Sequence, residues 1–139
     1  MGMIDARNLI TSLIDSTEAQ MNEHAWTLEK GSAHGYVYLV ENDKNSADST
    51  VYISFRIMNV PLKKEMAFYR RLLEINNTMG GRSSFSVDNE DRVWLNSGRS
   101  IIDLDKTELS DLITYTAGAA DYYDDVLLDE FGREYAAED

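Results

Sequence analysis

Apolar residues recur along this chain with two periods, and the switches between them mark out its elements. Between Ile4 and Glu23, the residues Ile10, Leu13, Ile14, Thr17 and Met21 fall on one face at helical spacing. Asp15, Glu18 and Glu23 lie mostly elsewhere, so the spacing predicts a first helix over this range. The period then drops to two. Trp26 and Leu28 alternate with Thr27 and Glu29 in a strand from Ala25 to Glu29, and the loop Gly31-Ser32-Ala33-His34-Gly35 leads into a second strand, Tyr36 to Val40. After the polar stretch Glu41 to Ser49, the run Thr50 to Val60 sets Val51, Ile53, Phe55 and Ile57 against Tyr52, Ser54, Arg56 and Met58. Short connections predict antiparallel pairing.

Pro61, the one proline, closes this strand ahead of a second predicted helix, Leu62 to Met79. Leu62, Met66, Tyr69, Leu72, Leu73 and Asn76 read as its core stripe, and Gly80-Gly81 as its stop. Ser84 to Val87 and Val93 to Asn96 are short strands around the polar turn Asp88 to Asp91, and Ile101-Ile102 extend the sheet beyond a turn signal at Ser97-Gly98. Asp105 or Thr107 caps a last helix, Asp105 and Glu108 having the spacing of a capping box. Its stripe is Leu109, Leu112, Ile113, Thr116, Ala120 and Tyr123, with Gly118 a weak point and Gly132 the stop. The order predicts one α+β domain over residues 1–139, helices packed on an antiparallel sheet.

Composition narrows the class. The chain has 139 residues, 43% of them hydrophobic, enough for a core without staples, and no cysteine to supply disulfides or thiolate ligands. No stretch approaches the roughly 20 apolar residues of a membrane helix, and the beginning lacks the basic and apolar regions of a secretory signal. A bacterial, cytoplasmic protein is the expectation. The net charge of −12 is uneven: residues 103–139 hold 12 acidic and 2 basic side chains. That acidic segment and the lack of a basic stripe argue against nucleic acid as a partner.

Catalytic motifs are wanting. Gly80-Gly81 follows a helix, the wrong end for a phosphate loop, and His24 and His34 stand without companion motifs. The expectation is no enzyme and no cofactor. Two acidic groups carry an alternative reading, an acidic calcium-binding protein: Asn42, Asp43, Asn45 and Asp48 in one loop, and Asp121, Asp124, Asp125 and Asp129 on the last helix. The loop lacks the EF-hand glycine and terminal glutamate, and the helical carboxylates are expected to be solvated and metal-free. Tyrosine is the other excess, eight residues in all, a side chain favoured at protein interfaces.

The segment Leu72-Leu73-Glu74-Ile75-Asn76-Asn77, Gly80-Gly81, Ser84-Phe85-Ser86-Val87-Asp88, Arg92-Val93-Trp94-Leu95 and the late acidic helix resemble the type III secretion chaperone-like superfamily, in particular its YbjN-like sensory transduction regulators. The resemblance covers residues 50–132 and rests on structural motifs. It implies an α-β-β-β-α-β-β-α domain, commonly a homodimer, that binds other protein. Two surfaces follow as expectations. Phe68, Ile75 and Met79, off the predicted core stripe, are assigned to a dimer interface. Tyr52 and Met58, opposite the core face of their strand, are assigned with Tyr36 and Tyr38 to a partner-binding surface; the N-terminal helix is the other candidate to cover that face.

Overall fold

The computed structural model describes residues 2–14 and 20–137. Its elements run α1 (Met3–Leu13), β1 (Gln20–Asn22), β2 (Ala25–Lys30), β3 (Ala33–Val40), β4 (Thr50–Asn59), α2 (Glu65–Asn76), β5 (Ser84–Val87), β6 (Arg92–Ser100) and α3 (Lys106–Phe131). The six strands form one antiparallel sheet in the order β1-β2-β3-β4-β6-β5. The α+β class and the element order agree with expectation, with one short strand added at the start.

Alternation does the sorting. Trp26, Val37, Ile53 and Ser97 pair across β2, β3, β4 and β6, and Leu28, Gly35, Phe55, Leu95 and Phe85 make the next row; most of this face is buried. Gly35 is required there, since a Cβ would stand 2.4 Å from the Ser54 carbonyl oxygen and 2.7 Å from the Phe55 ring. The helix α3 lies over this face against β2, β3, β4 and β6, with α1 packed on α3 and α2 reaching β5. The Asp105 carboxylate caps α3, accepting from the Glu108 N–H at 2.8 Å as the capping-box spacing implied. Gly118 does not interrupt α3, and Gly132 ends it with φ +130°.

Several expectations are corrected. The first helix ends at Leu13, and Met21 sits exposed in β1 instead of on a helical stripe; Thr17 lies outside the described residues. The loop before β3 is shorter than read, because Ala33 already pairs with Lys30. The Ser97-Gly98 pair lies within β6, where Gly98 leaves room for the Tyr52 ring: a Cβ would be 2.7 Å from its Cδ1.

The second helix has two apolar stripes, and the assignments are exchanged in part, Leu72 being core as read. Phe68, Leu72, Ile75 and Met79 are the core, so Phe68, Ile75 and Met79 are unavailable as a dimer interface; Phe68 is 0% exposed and meets Phe131 edge-on at 5.0 Å. Leu62, Met66 and Leu73, read as core, face outward, Met66 at 84% exposure. Leu62 belongs to a separate 3-10 turn, Leu62–Lys64, ahead of the helix.

Met58 is the other reversal. The β4–β6 register runs Arg56 to Trp94 and then Met58 to Val93, so one extra residue is accommodated between them. Such a bulge shifts the alternation by one. Ile57 and Met58 are consequently both buried, and Met58, at 0% exposure, cannot line a docking surface. The Arg56 guanidinium holds the bulge, donating to the Met58 carbonyl and to Asn59 Oδ1, each at 2.6 Å.

These reversals are testable by stability. Phe68→Ala is expected to cost about 3–5 kcal/mol and Met58→Ala about 2–5, as for other buried side chains of those sizes. Met66→Ala is expected to change stability by less than about 0.5 kcal/mol. Urea unfolding in which Met66→Ala costs as much as Phe68→Ala would reverse the assigned faces of α2.

Candidate protein-binding surface

The opposite side of the sheet carries the remaining positions of the alternation in three cross-strand rows. Ala25, Tyr38, Tyr52 and Gly98 form the first, and Thr27, Tyr36, Ser54, Asn96 and Ser84 the second. Glu29, His34, Arg56, Trp94 and Ser86 form the third. The helices lie toward the other face, α1 included, so these rows are not covered by it.

Their side chains support one another. Tyr38 and Tyr52 stack with ring centroids 5.3 Å apart, and Tyr36 lies 6.5 Å from Trp94. Beneath the rings, Ser54 donates to Asn96 Oδ1 at 2.8 Å and Asn96 Nδ2 donates to Ser86 Oγ at 2.5 Å, a polar ladder across three strands. Tyr36 remains 38% exposed, and Tyr38, Tyr52, Arg56 and Trp94 are half-buried. Pre-ordered aromatic rings with polar tips suit polypeptide recognition, since little side-chain freedom is lost on docking.

One end of this surface is held by Asp88. Its Oδ2 accepts from Arg92 Nε at 2.7 Å and from the Trp94 indole at 2.9 Å, while Oδ1 accepts from the Glu90 and Arg92 N–H groups. Partial burial pushes this carboxyl up, but the hydrogen bonds from the Trp94 indole, the two backbone N–H groups and the Arg92 guanidinium prevail and hold it well below the usual carboxylate range. Arg56 and Arg92 both lie against the Trp94 ring, at 5.8 and 6.0 Å from its centroid. Arg92 pairs with Asp88 and Glu90, whereas Arg56 forms no ion pair among the described residues.

Beside Arg56 the sheet has a notch. Strand β3 begins at Ala33, and beyond it the side of β4 is taken by the C-terminal segment, where Ala136 bridges Met58. A cleft of about 700 Å³ opens there, lined by Tyr36, Arg56 and Trp94 of the open face and by the buried residues Ile57, Asp124 and Leu128. The β2–β3 turn is fastened to α3 at this point. Ser32 N–H donates to Asp121 Oδ1 at 3.2 Å and Ser32 Oγ to Asp124 Oδ2 at 2.8 Å, while Gly31, at φ +56°, lets the turn pass close to Asp121.

Contrary to the expectation from sequence, the acidic residues on α3 are therefore not uniformly solvated. Asp125 and Asp129 pair with Arg133, but Asp124 is only 6% exposed. Burial raises its pKa; the Ser32 hydrogen bond opposes this, and the charges of Asp125 and Asp121 add to the rise. In the polar loop, Asn42 and Asn45 close turns by accepting from the N–H groups of Lys44 and Ala47, and Asp48 accepts from Ser100. Among the described residues no three His, Cys, Asp or Glu side chains converge to hold a metal ion, so nothing here supports the calcium reading.

Of the predicted partner residues, Tyr36, Tyr38 and Tyr52 share the open face and Met58 does not. Sequence reading missed Trp94 and Arg56. Both stand at open-face positions of well-predicted strands, and pairing the strands in register would have aligned them with His34, one row from Tyr36. Asp124 was singled out, but as a solvated residue.

No family model matches the sequence, and no curated protein matches it. Solved structures do match its fold. A chain of the ExsC–ExsE complex aligns with a TM-score of 0.69 at 12% identity, covering 91% of this chain and 97% of that one. The Yersinia pestis type III secretion chaperone SycH, solved with a fragment of YscM2, aligns at 0.57 and 16%, covering 85% and 96%. A chain of the heterodimeric ExoU–SpcU complex of the Pseudomonas aeruginosa type III secretion system aligns at 0.59 and 11%, covering 84% and 92%. The chain shares its fold with these three structures. These likenesses do not show the YbjN-like branch. Among the described residues no helix is long and apolar enough to cross a membrane.

The two perturbed carboxylates give opposite pH dependences. Asp88, lowered in the folded state, contributes stability above about pH 4 that fades only as pH falls toward its folded value. The Trp94 indole N–H resonance is expected to hold its position from pH 7 to about pH 4 and move in stronger acid; a midpoint near 4, the ordinary carboxylate value, would contradict the hydrogen-bond account. For Asp124, raised in the folded state, wild-type stability relative to Asp124→Asn is expected to fall as pH rises from about 4 to 7. A urea-unfolding difference that is flat or rises over this range would show that burial does not raise this group.

Proposed function

We propose that this chain is a non-catalytic, chaperone-like domain that holds a segment of a protein partner on the open face of its sheet. The observation that carries this reading is a pre-ordered aromatic surface, Tyr36, Tyr38, Tyr52 and Trp94, on a sheet face that the helices leave uncovered. A lone exposed aromatic needs no explanation, but a contiguous group spread over three strands marks an interaction site. The fold likeness supports the same reading, because the SycH structure holds a fragment of a second protein and the other two are complexes of two proteins. A cytoplasmic setting accords with it.

The expected homodimer moves to a different face of α2. Leu62, Met66 and Leu73 form an outward stripe beside half-buried Tyr69, and a helix apolar on two sides tends to bury both. A second copy meeting this stripe would use a patch separate from the open sheet face.

Both parts are open to direct test. Affinity capture from the native cell, read by mass spectrometry, is expected to recover a partner with wild type and lose it with Tyr36→Ser/Tyr52→Ser, the doubly substituted protein remaining folded by circular dichroism. An unchanged partner set would remove the open face from the proposal. Sedimentation equilibrium at micromolar concentration is expected to give twice the chain mass of 15.8 kDa, returning to one chain mass in Met66→Asp/Leu73→Asp. A wild-type mass near 15.8 kDa would remove the dimer.

A further inference from the structure

The cleft at the notch contains a group that the fold leaves unfinished. Asp124 is 94% buried, being 6% exposed, and only one of its oxygens has a partner, the Ser32 hydroxyl. Its Oδ1 is buried with no hydrogen-bond partner among the described residues. Buried carboxylate oxygens are nearly always satisfied, because an unpaired one forfeits its hydration without return. Asp124 lines the cleft together with Ser32 and Leu128, and Tyr36 and Trp94 of the aromatic surface line it as well. The terminal torsion of an aspartate is soft, so a small rotation turns this oxygen toward a donor arriving through the cleft.

What arrives must donate, because an ionised carboxylate only accepts. The surroundings favour a cation on an apolar stem. Ile57 and Leu128 supply apolar walls, and the Tyr36 and Trp94 rings stand at the entrance, where a stem or a cationic head can pass. The resident cations are spoken for: Arg133 by Asp125 and Asp129, and Arg92 by Asp88 and Glu90. Arg56 is engaged with the Met58 carbonyl and Asn59 across the bulge. The net charge of −12 over the whole chain favours a basic partner.

We infer that the cleft receives an arginine or lysine side chain of the bound protein segment, whose charged head pairs with Asp124 while its stem lies along Ile57 and Leu128. The inference rests on the open sheet face being where that segment lies. It adds a specificity element: a register point at which a basic residue is selected, with polypeptide to either side passing over Tyr36 and Trp94. A buried acceptor left unpaired in the free protein discriminates strongly, since a segment offering a neutral residue leaves it unpaired still.

The test uses the full chain, isotope-labelled for NMR, and three capped pentapeptides, Leu-Ser-X-Ser-Leu, in which X is arginine, lysine or the neutral arginine isostere citrulline. The arginine and lysine peptides are expected to shift the Ser32, Ile57, Asp124 and Leu128 amides saturably. The citrulline peptide is expected to bind at least about tenfold more weakly, the order of a lost charge-assisted hydrogen bond. In wild type, the Asp124 side-chain carboxyl resonance is expected to titrate at lower pH with the arginine peptide present, since a bound cation favours the ionised form. The groups around it that also titrate or carry charge are Asp121, Asp125, His34, Arg56, Arg92 and Arg133, and the readout is therefore taken on the Asp124 carbon itself. Asp124→Asn is expected to abolish the preference for charge over citrulline; the wild-type titration stands independently if that variant folds poorly. Equal binding of arginine and citrulline peptides, an unmoved Asp124 titration, or no saturable shift at these amides would each overturn the inference. Shifts confined to Tyr36, Tyr52 and Trp94, equal for all three peptides, would do so while leaving the open-face reading intact.

Discussion

The structure depends on one asymmetry: a six-stranded sheet that buries a single face, with one long helix as its principal cover. At 26 residues and about 1.5 Å per residue, α3 is about 39 Å long, enough to cross the strands and still reach α1 and α2. Strands packed on one side must alternate, and the alternation fixes which residues are left outward. The open face is thus a by-product of the core. Val37, Ile53 and Leu95 go in, and Tyr36, Tyr52 and Trp94 are thereby placed out, in adjacent rows across three strands.

The alternation shifts at the bulge in β4, and that departure shapes the site. Turning Met58 inward lets the end of β4 bend and releases its outer side from β3. The C-terminal segment takes up that side through Ala136, and the space between the two neighbours of β4 is the cleft. Arg56 spans the bulge while its guanidinium rests against Trp94, so the irregular backbone and the aromatic surface share one side chain. The turn at Gly31-Ser32, fastened to α3 through Asp121 and Asp124, supplies the other lip.

What was legible in the sequence is what local chemistry decides. The strands β2, β4 and β5, the cap at Asp105 and the stop at Gly132 all follow from side-chain period and backbone preference. What was illegible required knowing the neighbours. Helix α2 has two apolar stripes of similar strength, and only Phe131 opposite Phe68 determines which is core. A bulge leaves no mark in the composition of Arg56-Ile57-Met58, since it is defined by a partner strand that spends one residue where β4 spends two. The burial of Asp124 likewise comes from the β2–β3 turn, 92 residues away in the chain. The open-face tyrosines were readable because they depend on alternation alone.

The acidity of the chain takes on a different meaning once its carboxylates are placed. Residues 103–139 carry 12 acids against 2 bases, yet Arg133 draws in Asp125 and Asp129, and Arg99 from the sheet pairs with Glu108. The open face has the opposite character, with Arg56 and Arg92 bracketing Trp94. An acidic body therefore presents an arginine-bordered aromatic window, beside a cleft lined by the buried acid Asp124. In the proposed complex, long-range attraction of a basic segment and close-range recognition of its side chains then draw on different residues. The first is a property of the whole charge distribution, screened within about 8–10 Å at ordinary salt. The second belongs to desolvated groups at the notch, where screening is weak and geometry decides.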